Sequence, residues 1–187
     1  MKKINSEIEI PNMLNELLAM EVGCGLRYRK HYFAANGIHS KSIAQEFLEH
    51  AEQEGNHAMQ LATRISQLGG EPNFFSPRLM DFQMEMGEFK NVLEILKVDL
   101  AFEKDAVIAY REAINMVAQE DPTTRRVLER ILEEEEGHVA EISTLLGQDD
   151  QSVLYLDPTT GEELDQPDRL IEGQSRAKAN SHYSARI

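Results

Sequence analysis

Tryptophan is absent from this chain, and cysteine occurs once, at Cys24. A single thiol excludes an intrachain disulfide framework and any cysteine-built metal domain, and it carries no information on redox compartment. Long apolar runs are missing too. None reaches bilayer-spanning length, and the start of the chain, Met1 to Met13, lacks the apolar stretch of a secretory signal, so a cytoplasmic protein with no membrane partner is expected. Basic residues are scarce: 19 Lys+Arg against 33 Asp+Glu give a net charge of −14, which argues against direct nucleic-acid binding. The excess acid suits attraction of metal cations or plain solubility. There is no phosphate loop, nucleophile elbow or dinucleotide-binding glycine pattern. What remains, 187 residues of which 41% are hydrophobic and 28% charged, fits one globular domain with a sizeable core.

Four long segments carry helical periodicity. The first runs from about residues 7–11 to Asn36, with Leu14, Leu17, Glu21, Cys24, Tyr28, His31 and Ala35 on its inward face; Pro11 belongs in a first turn, and Asn36-Gly37 supplies the stop. Ser42 and Gln45 are spaced as a capping box for the second segment, which reads Ile43, Phe47, His50, Glu54, His57, Leu61 and Leu68 before Gly69-Gly70. The third, about 87–119, reads Leu93, Leu96, Leu100, Glu103, Val107, Tyr110, Ile114 and Val117. Asp121-Pro122 is an N-cap followed by a first-turn proline. It starts the fourth, with Leu128, Ile131, Glu135, His138, Ile142 and Leu145, ending near Gly147. The steps of three and four are those of a bundle. The long connection after Gly70 is able to travel the bundle's length, so helices two and three are expected to run parallel. Gly23 and Gly25 cost a helix stability unless close packing requires them.

The expected architecture is all-α: an up-down-down-up four-helix bundle over residues 1–147, and an irregular C-terminal extension over 148–187 rich in turn residues. That extension is either an arm between subunits or a solvated tail.

The informative residues are polar ones inside the apolar stripes. Glu21, Glu54, Glu103 and Glu135 share registers with Leu, Ile and Val. Burying one unpaired carboxylate costs several kcal/mol or forces it to take up a proton, and four together repel unless cations neutralise them. Glu54 and His57, like Glu135 and His138, are three residues apart and face the same side of a helix. Two Glu-x-x-His helices and two helices with a single inward Glu form the ligand set of a two-metal carboxylate site. Metal: Glu21, Glu54, His57, Glu103, Glu135 and His138. Gly55 and Gly137, beside the ligand glutamates, either make room for close packing or are tolerated flexibility. Around the six, Tyr28 and Tyr110 are either donors to ligand carboxylates, electron-transfer groups or core tyrosines. Asp99 is placed to orient a ligand imidazole. His31 and His50 form either an outer or ion-access pair at the site or an ordinary buried polar pair. Cys24 is a small core residue.

With these motifs the chain resembles the ferritin-like superfamily, bacterioferritins and Dps-like ferritins above all, over about residues 7–147. The stretches that carry the resemblance are Leu14 to Glu21, Glu54-Gly55-Asn56-His57, Asp99 to Glu103 and Glu135-Glu136-Gly137-His138. The connectors Gly69 to Asn73 and Asp121 to Arg126 add to it. It implies two iron ions per subunit, with manganese or zinc as possible substitutes, and oxidation of Fe(II) by dioxygen or hydrogen peroxide. It also implies ferric mineral stored in a hollow homo-oligomeric shell of 12 or 24 subunits. Glu21 and Glu103 would be terminal ligands, Glu54 and Glu135 bridging ones, and His57 and His138 one nitrogen ligand each; Tyr28 matches a tyrosine near the family's centre. The bacterioferritin haem ligand is a methionine directly after the second helix's glutamate. Here that place is Gly55, and neither Met20 nor Met59 matches it, which argues against haem. No fifth helix is evident in 148–187, which weakens the 24-subunit form and leaves a 12-subunit shell, a smaller ring or a dimer open. The alternatives are a di-metal peroxidase or oxidase without storage, and a non-catalytic structural or stress-protection shell.

Overall fold

The computed structural model describes residues 6–37, 41–77, 79, 89, 91–118 and 120–147. Four helices account for nearly all of them: α1 Ser6–Gly37, α2 Lys41–Gln67, α3 Val92–Val117 and α4 Pro122–Leu145. The cross-helix contacts fix their directions. Going up α1, Glu21 meets His57 and Tyr110, whereas His31 meets Phe47 and Asp99. Both α2 and α3 therefore run antiparallel to α1. Arg64 reaches Asp121 while His50 reaches Glu141, so α4 is antiparallel to α2. The bundle is up-down-down-up, with α2 and α3 parallel and joined by the long crossover.

The helix ends follow their local chemistry. Gly69, at φ +78°, and Gly70, whose N–H donates to the Ile65 carbonyl at 3.0 Å, close α2. Positive φ suits glycine because it has no Cβ. Asn91 caps α3 by accepting from the Glu94 N–H. Asp121 caps α4 by accepting from the N–H groups of Thr123 and Thr124, with Pro122 at the first helical position. Gly147, at φ +67°, follows α4. The crossover leaves α2 tied to α1: Asn15 donates to the Glu71 carbonyl at 3.1 Å and accepts from the Asn73 N–H at 2.8 Å.

Several expectations are corrected. α1 starts at Ser6, upstream of Pro11, which lies inside the helix. α3 starts at Val92 rather than near 87. Gln45 donates to Glu49 and makes no capping box. Leu93 and Leu145 are 55% and 39% exposed. At each end an adjacent residue one register over, Val92 or Leu146, packs toward the core instead. The remaining stripe residues pack inward, in two apolar clusters on either side of a polar middle layer. The extension 148–187 lies outside the described residues.

Candidate metal centre

That polar layer gathers all six of the residues singled out by spacing. Glu21, Glu54, His57, Glu103, Glu135 and His138 are each at most 2% exposed. Their donor atoms form two overlapping groups, Glu21–Glu54–His57–Glu135 and Glu54–Glu103–Glu135–His138, in each of which all lie within 4.8 Å of one another. Ligands at about 2.0–2.2 Å from one ion lie at most about 4.4 Å apart, so contraction by a few tenths of an ångström brings the widest pairs within that reach.

Glu54 and Glu135 belong to both groups and divide their oxygens between them. Glu54 turns Oε2 toward Nδ1 of His57 at 3.7 Å and Oε1 toward Nδ1 of His138 at 3.3 Å. Glu135 turns Oε1 toward His57 at 2.9 Å and Oε2 toward His138 at 3.5 Å. Both imidazoles present Nδ1 inward. Each holds its Nε2 outward on the residue preceding the other motif's glutamate: His57 on Glu134 at 3.0 Å, His138 on Gln53 at 2.9 Å. Spacing alone did not flag Gln53 and Glu134, because exposed polar residues on a helix carry no register signal.

The two tyrosines work crosswise. Tyr110 on α3 donates to Oε1 of Glu21 on α1 at 2.5 Å, and Tyr28 on α1 donates to Oε1 of Glu103 on α3. Burial, then the charge of the partner glutamate, raises both phenols well above their ordinary range, which keeps them protonated donors. The site thus has an approximate two-fold relation that exchanges α1 with α3 and α2 with α4. Glu21, Tyr28, Gln53, Glu54 and His57 correspond to Glu103, Tyr110, Glu134, Glu135 and His138.

The relation breaks at one end. Six places after Glu21 stands Arg27, buried at 1% exposure; six after Glu103 stands Ala109. Asp99, four before Glu103, corresponds to Leu17, and His50, four before Glu54, to Ile131. Arg27 donates from Nε to Asp99 at 3.0 Å and from NH2 to Cys24 Sγ at 3.4 Å, and lies 4.0 Å from Glu103. Its guanidinium also stacks over Phe102 at 3.8 Å. Asp99 therefore does not orient a ligand imidazole; both its oxygens lie 2.9 Å from Nδ1 of His31. His31 and His50 take separate partners: His50 stacks on His138 at 4.3 Å and pairs through Nε2 with exposed Glu141 at 2.9 Å. Arg27 sits on a register compatible with the α1 stripe, which is the signal sequence reading passed over.

Charge is unevenly settled among the six. Burial and the charge of Glu54 push the Glu21 carboxyl up to about 8; burial and the charges of Glu21 and Glu103 push Glu135 up to about 7. Burial acts the same way on Glu103, but His138, with Arg27 assisting, outweighs it and holds that carboxyl below its ordinary range. Burial disfavours charge on His57 and His138, yet the surrounding carboxylates raise both well above the usual imidazole range. Glu54 Oε1, Glu135 Oε1 and His138 Nδ1 are buried with no aligned hydrogen-bond partner; Glu135 Oε1 is near His57 but poorly oriented. Buried polar atoms of this kind call for a partner. Two divalent cations would supply one to each, and the oxygen-plus-imidazole set suits iron, manganese or zinc. The residue after Glu54 is Gly55, which has no sulfur to offer a haem iron.

Three glycines near the cluster differ in their surroundings. A Cβ on Gly25 would lie 3.4 Å from Cβ of Glu54 and 3.6 Å from the Ala51 carbonyl, so α1 and α2 approach closely beside the site. Nothing lies within 4 Å of a Cβ at Gly55 or Gly137, so neither makes room for close packing.

The family model for the ferritin-like domain matches residues 11–152. The bacterioferritin of Brucella melitensis is 30% identical over 146 residues, 76% of this chain and 86% of that protein. The nutrient stress-induced DNA-binding protein of Nostoc sp. is 26% identical over 149 residues, 78% and 81% of the two chains. The solved structure of Rhodobacter capsulatus bacterioferritin, described with a metal-free dinuclear site and haem iron, superposes with a TM-score of 0.66 at 26% identity. That match covers 79% of this chain and 87% of the other. With its four-helix fold, buried Glu/His cluster and these relatives, the chain belongs to the ferritin-like superfamily and is closely related to the bacterioferritins.

Proposed function

We propose that the protein is a ferroxidase that takes up two Fe(II) per chain, oxidises them with dioxygen or hydrogen peroxide, and stores or detoxifies the iron in a hollow cytoplasmic homo-oligomer of 12 or 24 subunits. The observation that carries the reading is the division of the Glu54 and Glu135 oxygens between the two histidine-bearing halves. It would hold two irons as neighbours, close enough for one oxidant to draw one electron from each. Two Fe(II) together supply the two electrons that reduce dioxygen to hydrogen peroxide with two protons, or hydrogen peroxide to two waters.

In this reading Glu21 and His57 complete one iron position and Glu103 and His138 the other. The chain's own groups do the positioning. Glu134 and Gln53 fix the outward nitrogens of the two imidazoles and leave Nδ1 to face the iron. Tyr110 and Tyr28 each occupy one oxygen of the single-half glutamates and set their rotation. Burial keeps bulk water away, so the charge of bound iron would be screened less from the groups around it than at the surface. The DNA binding named for the Nostoc relative is not carried over to this chain, with its net charge of −14.

Aerobic titration with Fe(II), read by ultraviolet absorbance and followed by mass measurement of the product, tests the reading. Rapid oxidation of about two Fe(II) per chain, then retention of ferric mineral in a large assembly, is expected. Turnover without retained mineral in a small oligomer overturns storage and leaves a di-metal oxidase or peroxidase. No oxidation above the protein-free rate overturns the ferroxidase.

A further inference from the structure

Pseudo-symmetry makes the two halves of the centre nearly interchangeable in their ligands, their tyrosine donors and their outer partners. Against that background Arg27 is an anomaly. A guanidinium stays charged at any pH the fold tolerates, and this one is buried beside one half only, with NH2 4.0 Å from Glu103 Oε1. Glu21, the counterpart of Glu103, faces no such group; the position matching Arg27 is Ala109.

Asp99 offsets the charge but not its direction. Its carboxylate meets Nε, and is shared with His31, while NH2 is the atom turned toward Cys24 and Glu103. The pair is therefore a buried dipole whose positive end points at the Glu103–His138 half. A cation placed there approaches that positive end, whereas among the described residues no ion pair of Arg27 with the Glu21–His57 half accompanies the one with Glu103. In a low-dielectric interior, even part of a unit charge at this range changes the affinity for a divalent ion by about ten-fold or more. Burying an arginine costs stability unless its partners compensate, and one of its nitrogens, Nη1, has no hydrogen-bond partner among the described residues.

We infer that Arg27 makes the two metal positions inequivalent: the Glu21–Glu54–His57–Glu135 position binds a divalent ion first and tightly, and the Glu54–Glu103–Glu135–His138 position binds second and weakly. The inference rests on the di-metal reading above and deepens it. Arg27 touches no metal itself; it acts through space, by the field of its buried guanidinium beside Glu103. Weak binding in the second position makes arrival of the second iron the step that commits a pair to oxidation.

The test is calorimetric titration of full-length, chelator-stripped protein with Co(II), which does not undergo the oxidation and whose visible absorption reports its ligands. The wild type is expected to bind two ions per chain in two steps separated by about ten-fold or more in affinity. His138→Ala removes the weak step and keeps the tight one; His57→Ala removes the tight step. Arg27→Gln leaves Asp99 buried without its cation, so the informative variant is Arg27→Gln with Asp99→Asn, in which both charges go together. There the separation falls to less than about three-fold, while Arg27→Lys retains it. Equal steps in the wild type, an unchanged separation in the double variant, or loss of the tight step in His138→Ala overturns the inference and leaves the ferroxidase standing. Failure of the wild type to take up any Co(II) overturns both.

Discussion

Nε2 of His57 lies 3.0 Å from Oε2 of Glu134, so the imidazole is gripped from outside the cluster and its other nitrogen is left facing in. Outer partners of ligand histidines set tautomer and ring orientation, and losing one typically costs about 10–100-fold in metal affinity. Glu134→Ala is expected to weaken the Glu21–His57 position by that factor, read by Co(II) titration, while the melting temperature of the metal-free protein changes little. Unchanged affinity would show that neighbouring side chains alone hold the ring.

Glu54→Ala and Glu135→Ala should behave differently from changes at Glu21 or Glu103. Each removes a carboxylate that both halves share, so both binding steps and the first phase of Fe(II) oxidation are expected to vanish. Stopped-flow absorbance measures this directly. Oxidation at the wild-type rate in either variant would refute the site assignment.

pH supplies a third check. Glu21 and Glu135 have folded-state pKa values raised to about 8 and about 7, above the ordinary 4.5, through burial and their carboxylate neighbours. Between those limits the folded chain binds more protons than the unfolded one, so raising pH through that window destabilises the metal-free protein. The two histidines, raised above 6.5, act in the same direction above that value. Glu103 is depressed, so its contribution is lost only on acidification below its ordinary range. Melting in the presence of a chelator should therefore fall from pH 5 to pH 8. With Zn(II) or Co(II) in excess the slope should flatten or reverse, since ligands shed protons as metal binds. A chelated protein that gains stability over this range contradicts the charge distribution described above.

Gly137 lies in mid-helix, with nothing within 4 Å of where a Cβ would stand. Gly137→Ala is expected to stabilise the fold by about 0.5–1 kcal/mol by restricting the unfolded chain, seen as a rise of a few degrees in melting temperature. Asp121→Ala should do the opposite, by about 0.5–2 kcal/mol, because it strips α4 of its N-cap. Asp121 is held at about 2, where burial opposes and Thr124 with Arg64 outweighs it. Its contribution is present above the ordinary carboxylate range and is lost as pH falls toward that value.

The burial of the six clustered residues was legible because burial is dictated by register. A glutamate on a leucine stripe stands out in a way that one on a solvated face does not. Register failed where two adjacent residues fit the same three-or-four step, as with Val92 and Leu93 at the start of α3. It also failed for partnerships. Asp99 is buried in the bundle, but periodicity places a residue on a face and not against a partner, so its pairing with Arg27 and His31, in place of a ligand imidazole, emerges only in three dimensions. Gln53 and Glu134 carried no signal at all, since their surroundings differ little from those of any other helical surface residue.

The crossover that makes α2 and α3 parallel also divides the centre between two hairpins. The α1–α2 hairpin brings Glu21, Glu54 and His57, and the α3–α4 hairpin brings Glu103, Glu135 and His138. Each candidate metal position draws on both. Neither hairpin alone therefore carries a complete candidate group, and a metal ion held by all four residues of a group would report that the two halves of the chain have docked in register. A protein cut within the crossover would be a two-piece assembly whose reunion depends on metal concentration.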